Sequence, residues 1–284
     1  MNAFVKTEQE VRVLFDHEDD LLGESGRSIM LSHGERRPRA AVLLHGMTAS
    51  PMQFIEVARA LHGSGYNVLV PRLPRHGYRD RLTDVLVDLS PAELKRTAKE
   101  AIEVAHQFGE SVTVIGFSVG GLLAAWAAQQ FDLERAVCIA PFLGLAWIPS
   151  ALGSAIASLS LRLPNRFHWW DPIRKGNQMP AHGYPRYSTH AVARVHQLAG
   201  ELMRDALQSV PRARSIVVVT NAHEVTVNNR QVRKLVARWR KRAPGLVTTF
   251  EFKDLPFSHD IIEPLRHPEV TARVYPTLLE LIEG

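Results

Sequence analysis

Apolar positions along the chain fall into short runs that alternate with longer amphipathic stripes. The runs, rich in β-branched residues, lie at 41–44, 67–70, 112–115, 136–140, 216–220 and 247–252, and runs of that length predict buried strands. Between most of them apolar residues recur at helical spacing, at 53–61, 92–108, 122–130, 230–240 and 270–282. This alternation predicts an α/β fold, a doubly wound and mainly parallel sheet with helices on both faces.

From Phe142 to about residue 191 the alternation stops. That stretch carries Trp147, Trp169, Trp170, Tyr184 and Tyr187 among prolines and glycines, between two consecutive strands, and reads as a helical cap inserted into the core. The expected organisation is residues 1–141 as the first part of the core, 142–190 as the cap, and 191–284 as the second part of the core. Residues 136–161 hold no charged side chain, a length that spans a bilayer. Pro141, Pro149, Gly144 and Gly153, with Ser150, Ser154, Ser158 and Ser160, interrupt it, so it splits into a strand and an apolar excursion rather than a membrane helix. The segment before residue 39, with its acidic patch Glu18, Asp19 and Asp20, is expected to supply edge structure.

Composition narrows the class. The 284 residues are 45% hydrophobic and 22% charged, the balance of an ordinary globular chain with one large core. Cys138 is the one cysteine; it allows no internal disulfide and no cysteine zinc cluster, and no metal or cofactor is expected. The first ten residues include Lys6, Glu8 and Glu10 without an apolar run, unlike a secretory signal, so a cytoplasmic location is the expectation. The net charge of +5 concentrates at Arg230, Arg233, Lys234, Arg238, Arg240, Lys241 and Arg242, opposite Val232, Leu235, Val236 and Trp239 on one helix. That is a solvated face before it is anything else. Nucleic acid is not expected, since no stacking aromatics interleave with the cations, and weak contact with an acidic membrane surface is the remaining electrostatic option.

The chemistry centres on Gly116-Phe117-Ser118-Val119-Gly120. A strand precedes it and a helix follows, so Ser118 sits on a sharp strand-to-helix turn that pushes its hydroxyl clear of the backbone. A serine hydroxyl needs a base, and the base needs an acid to orient it. In doubly wound sheets ligands lie beyond the carboxyl ends of strands, which prunes the 13 histidines. His259 follows the strand at 247–252 and is the candidate base. His267 precedes Pro268 at the start of the last helix, and His45 and His76 precede glycines, where turn roles are expected. Glu224 is the only carboxylate in the loop after residue 220 and is the candidate acid. Asp260 competes, but adjacent side chains rarely meet in the required geometry. Amide N–H groups of Val119, at a helix start, and Met47, after an earlier strand, are the candidate oxyanion donors.

These residues resemble the α/β-hydrolase superfamily, in particular its capped serine esterases and lipase-like members, from about residue 39 onward. The resemblance rests on Leu44-His45-Gly46-Met47, Pro71-Arg72-Leu73-Pro74-Arg75-His76-Gly77, the Ser118 pentapeptide with Gly121, the segment Asn221 to Val227, and Ser258-His259-Asp260. It implies nucleophile Ser118, acid Glu224, base His259, oxyanion donors Met47 and Val119, and a cap that walls the acyl pocket. Glu224 stands where the family more often has Asp, so its loop must retreat by a methylene. Arg75 stands where relatives commonly have glycine, and the resemblance gives it no role.

The expected activity is hydrolysis of carboxylic esters through an acyl-enzyme, with water as second substrate. The charge-free excursion, and Trp147, Ile148 and Leu152 in it, point to an apolar acyl group. A thioesterase, a C–C bond hydrolase and an acyltransferase share the same residues and stay open, as does a non-catalytic ligand-binding protein of this fold; oligomeric state is not legible.

Overall fold

The computed structural model describes residues 8–16, 19–149, 152–178 and 180–284. Lys6, Glu18 and Ser150, named above, lie outside the described residues. Nine strands run as β1 (Ile29–Leu31), β2 (Arg37–Leu44), β3 (Asn67–Val70), β4 (Gly109–Phe117), β5 (Arg135–Ile139), β6 (Phe167–Trp169), β7 (Arg186–Ser188), β8 (Ile216–Asn221) and β9 (Val247–Phe252) among the described residues. The helices are α1 (Glu8–Phe15), α2 (Ile55–Gly63), α3 (Pro91–Phe108), α4 (Val119–Gln130), α5 (Gly153–Ser160), α6 (Thr189–Gln208), α7 (Asn229–Arg242) and α8 (Pro268–Glu283).

Seven strands form one sheet in the order β1-β3-β2-β4-β5-β8-β9. All neighbours are parallel except β1, which pairs antiparallel with β3 at the edge. The inner strands are buried on both faces, as parallel strands under helices must be; residues 40–44 of β2 are at most 1% exposed. Helices α3, α4, α6 and α7 contact one another in a row, while α2 packs with α8. The expected doubly wound, mainly parallel sheet is the one observed.

The path of the chain prepares a site. It leaves β2 for β3 on one side, then crosses back over β2 to β4 on the other, so the strand order reverses between β2 and β4. Loops leaving those two carboxyl ends diverge and open a crevice there. Register places Leu44 beside Gly116, Phe117 beside Ile139, and Asn221 beside Phe252. The segments that carry Met47, Ser118, Phe142, Glu224 and His259 therefore all leave the sheet on one edge.

Several elements escape the periodicity reading. Helix α6 buries Ala191, Val195, Leu198, Ala199, Leu202 and Ala206; that spacing is helical and as amphipathic as the stripes of α2 and α8, yet it lies in none of the predicted helices. Ser188 caps its start by accepting from the Ala191 N–H. Strands β6 and β7 form a two-stranded hairpin of three residues each, too short for a period to register. The segment before β2 does supply the edge strand β1, and it also holds α1, whose end is tied down by the buried Asp16 carboxylate, which accepts from Ser28 and lies 3.6 Å from Arg72 Nε.

Helix α7 behaves as its pattern predicts. Val232, Leu235, Val236 and Trp239 are buried, and Arg230, Arg233, Lys234, Arg240, Lys241 and Arg242 face solvent. No helix among the described residues is long and apolar enough to cross a membrane. Cys138 is buried and unpaired, and burial pushes its thiol pKa up.

Trp239 is fully buried, and its indole N–H donates to Gln129 Oε1 at 2.8 Å. Trp239→Phe keeps an aromatic ring but strands that buried acceptor. The expected loss of stability is about 1–3 kcal/mol, read as a lower thermal midpoint; an unchanged midpoint would contradict the assignment.

Candidate active site

Helix α4 begins one residue after β4 ends, so Ser118 alone makes the turn. Its φ of 56° and ψ of −110° lie where side chains are seldom found, and such a conformation persists only when its surroundings over-determine it. The surroundings do so here. The Ser118 N–H donates to Ile139 O, and its carbonyl accepts from the N–H groups of Leu122 and Phe142, each at 2.9 Å. Two glycines are demanded by contact: a Cβ on Gly116 would stand 1.9 Å from Gly120 O, and one on Gly120 would stand 1.7 Å from Leu44 O.

The loop after β9 brings His259 over this turn. Its Nδ1 lies 2.9 Å from Glu224 Oε2 and its Nε2 lies 2.8 Å from Ser118 Oγ. An ionised carboxylate only accepts, so Nδ1 carries the hydrogen and Nε2 is left to accept the Ser118 hydroxyl proton. The Phe117 ring packs against the imidazole, centroids 4.8 Å apart. Glu224 uses its other oxygen to accept from the N–H groups of Thr226 and Val227, at 2.7 and 3.2 Å. Asp260 instead pairs with Arg266 at 2.8 Å and lies 3.5 Å from Gln53 Nε2.

Charge follows from these contacts. Burial opposes ionisation of Glu224, but His259 and the two amides outweigh it and hold the carboxyl below its ordinary range. Burial likewise opposes the imidazolium of His259, and the Glu224 carboxylate outweighs it, raising the imidazole above its ordinary 6.5. The raised histidine stabilises the fold below its ordinary pKa, an effect lost as pH climbs through the raised value. The depressed carboxylate stabilises above its ordinary pKa, an effect lost on acidification through the lowered one.

The amides of Met47 and Val119, the candidate oxyanion donors, lie three residues past β2 and at the first residue of α4. Among the described residues neither N–H donates to a protein acceptor. The loop holding Met47 is fixed from within. His45 is fully buried; its Nδ1–H donates to Gly46 O at 2.9 Å and its Nε2 accepts from the Leu73 N–H at 3.1 Å. Burial first, and His76 second, keep it neutral by lowering its pKa, and burial lowers His76 to about 4. The turn roles expected for both therefore come with full burial.

Asn221 and Gln53, given no role above, tie down the loops of the site, and the departure at Arg75 receives a structural account. Asn221, fully buried at the end of β8, donates to Pro256 O and Ser258 O and accepts from the His223 N–H, which locks the Glu224 loop to the His259 loop. Gln53 accepts from the Gly46 N–H at 2.9 Å. Arg75 has φ 66°, the left-handed region that suits glycine, and its guanidinium pairs with Glu93 at 3.0 Å. An amide side chain directly after a β-branched strand was the available signal for Asn221; nothing in the spacing marks Gln53.

A cavity of about 370 Å³ opens beside the site, between the 142–160 segment and helices α6 and α7. Phe142, Leu143, Leu145, Trp147, Ile148 and Ile156 supply much of its apolar wall, and Ser118 is not among its lining residues. Leu152 is not among them either and is 52% exposed.

A sequence model described as the alpha/beta hydrolase family matches residues 41–274. No curated protein matches the sequence significantly. Among solved structures, one from the metagenome-derived lipolytic enzymes LipS and LipT superposes with a TM-score of 0.69 at 14% identity, covering 91% of this chain and 99% of its own. A monoacylglycerol lipase of Paleococcus ferrophilus gives 0.65 at 19% identity, covering 89% and 98%. A soluble variant of monoglyceride lipase from Saccharomyces cerevisiae gives 0.66 at 13%, covering 86% and 87%. At these identities the likeness is one of fold.

Two measurements test the geometry. In a histidine NMR titration His259 is expected to titrate above 6.5, and Glu224→Gln to bring that value down; a value at or below 6.5 in the parent protein contradicts the pairing. Gly120→Ala, which drives a methyl into Leu44 O, is expected to lower stability by several kcal/mol or prevent folding, whereas a variant as stable as the parent would show that the turn can relax.

Proposed function

The chain belongs to the alpha/beta hydrolase family, and from that premise we propose that it is a serine hydrolase cleaving carboxylic esters with an apolar acyl group. One observation carries the reading: a hydroxyl, an imidazole and a carboxylate are hydrogen-bonded in series, with the hydroxyl on a strained turn at the crevice edge.

Under this reading Ser118 Oγ attacks the ester carbonyl while its proton passes to His259 Nε2. Negative charge grows on the carbonyl oxygen and is met by the amides of Met47 and Val119, the latter at a helix start whose dipole also favours it. Glu224 stabilises the imidazolium as it forms. His259 then hands the proton to the leaving alcohol, and the acyl group stays on Ser118. Water enters, gives its proton to His259 and attacks the acyl carbonyl, releasing the acid and restoring the serine.

The cavity supports the apolar acyl group, with Trp147 and Ile148 in the substrate-binding role and the segment 142–190 as the cap over it. It begins at Phe142, the residue whose N–H is bound to the Ser118 carbonyl. A wall of this kind removes a hydrocarbon chain from water at roughly 25 cal/mol per Å² buried. The neighbouring folds include lipases whose substrates are monoacylglycerols, which fits the same class of acyl ester.

The test is hydrolysis of p-nitrophenyl esters of increasing chain length, alongside covalent labelling by a fluorophosphonate. Turnover and labelling are expected in the parent, and Ser118→Ala is expected to lose both, with kcat falling on the order of 10⁴-fold or more. Absence of turnover and labelling in the parent, or turnover surviving Ser118→Ala, sinks the proposal. Labelling without turnover of any ester would favour a thioester or C–C bond substrate instead.

A further inference from the structure

A second chain of serine, histidine and carboxylate is buried on the other side of the Met47 loop. Ser50 Oγ lies 3.0 Å from His182 Nδ1, and His182 Nε2 lies 3.2 Å from Glu263 Oε2. Ser50 is fully buried, and the histidine and glutamate side chains are 4% and 1% exposed. This is no second nucleophile. The single hydroxyl hydrogen of Ser50 is given to Ser25 O at 2.8 Å, so the serine can only accept from His182, and Nδ1 is the donor.

The three residues come from the three segments whose relative placement matters most. Ser50 ends the loop that begins at Met47, His182 belongs to the stretch between β6 and β7, and Glu263 lies four residues beyond His259. The stretch with His182 grips the Met47 loop at further points: the Tyr184 N–H donates to Thr48 O at 2.6 Å, and the Trp170 indole N–H donates to Thr48 Oγ1 at 2.9 Å. Thr48 has φ 65°, a left-handed conformation that a threonine holds only under external constraint. From the core side, Gln53 accepts from the Gly46 N–H and His45 Nδ1–H donates to Gly46 O. The Met47 backbone thus lies between an anchor on the core side at Gly46 and an anchor from the 142–188 segment at Thr48.

We propose that Ser50 and His182 form a clasp through which the 142–188 segment sets the direction of the Met47 N–H, so that His182 is a positioning residue for the oxyanion step. The inference rests on the hydrolase reading above for its effect on turnover, and on geometry alone for its effect on the loop. The imidazole holds Ser50 by donating from Nδ1, and Ser50 anchors the carboxyl-terminal end of the loop; Glu263 Oε2 lies 3.2 Å from the far nitrogen of the ring without a hydrogen bond to it. A shift of about 1 Å in a group that meets developing charge costs up to roughly a hundredfold in rate while leaving ground-state binding intact.

The experiment uses the full chain with His182→Leu, which breaks both contacts, and His182→Asn, whose amide restores the donor to Ser50 without reaching Glu263. Steady-state hydrolysis of a p-nitrophenyl ester and the backbone amide NMR signals of residues 47–50 are read in each. For His182→Leu, kcat is expected to fall about tenfold to a hundredfold with KM within about twofold, and the Met47 amide signal to move. His182→Asn is expected to recover most of kcat and return that signal toward its parent position.

A folded His182→Leu with kcat within about twofold of the parent and an unmoved Met47 signal overturns the clasp. So does a kcat loss that His182→Asn fails to recover while the signal stays in place. Should His182→Leu not fold, the small Ser50→Ala is judged on the same readings. If the parent hydrolyses no ester, the hydrolase reading fails, and the amide signals by themselves decide the clasp.

Discussion

The site is built on one close approach. Gly120 lies so near the carboxyl end of β2 that its hydrogen faces Leu44 O where any side chain would collide, and Gly116 faces Gly120 O in the same way. These contacts press the start of α4 against both β4 and β2. Ser118 has no room to continue the strand or to join the helix, and takes the strained turn. Because the pressed strand is β2, the loop that leaves it and carries Met47 starts next to the helix start that carries Val119. The strain at Ser118 is held by Ile139, Leu122 and Phe142, so cost and support lie within a few ångströms of each other.

Around that contact the loops are fixed by buried polar side chains rather than by apolar packing. Backbone groups in a loop still need partners when water is excluded. His45, Gln53 and Asn221 meet the backbone of loops after β2, β3 and β9; His45 and Asn221 reach segments 28 to 37 residues away, and Gln53 closes its own loop back onto Gly46. An apolar side chain in their places would fill the same volume but leave amides or carbonyls unpaired, at about 1–3 kcal/mol each. A loop placed this way tolerates little drift.

The stretch from 142 to 188 bears on the site twice. Its first part contributes Phe142, Leu143 and Ile148 to the cavity, and the Phe142 N–H donates to the Ser118 carbonyl. Its later part, through Trp170, His182 and Tyr184, reaches over the Met47 loop and the segment after His259. One segment thus walls a pocket and also holds the Met47 loop. It does so through hydrogen bonds between residues 122 and 132 positions apart in the chain.

What the linear chain determined is what repeats or is compositionally sharp. β-branched runs of four to six residues announced the inner strands, amphipathic stripes announced α2, α3, α7 and α8, and glycines on either side of a serine between a strand and a helix announced the turn. His259 and Glu224 followed from a topological rule, since only the carboxyl ends of strands open onto the crevice. Three-residue strands were too short to register, and the helical stripe of α6 lies in none of the predicted helices although it is as amphipathic as those of α2 and α8. The tertiary structure brings Glu224 and not Asp260 to His259, as the chain had suggested, and it alone decided that Leu152 is absent from the cavity lining and that Asn221, Gln53 and His182 hold the loops. The reason is physical. Periodicity encodes which face of an element meets the core, whereas a polar side chain's partner is chosen by which loops close over it, and loop closure depends on the whole fold.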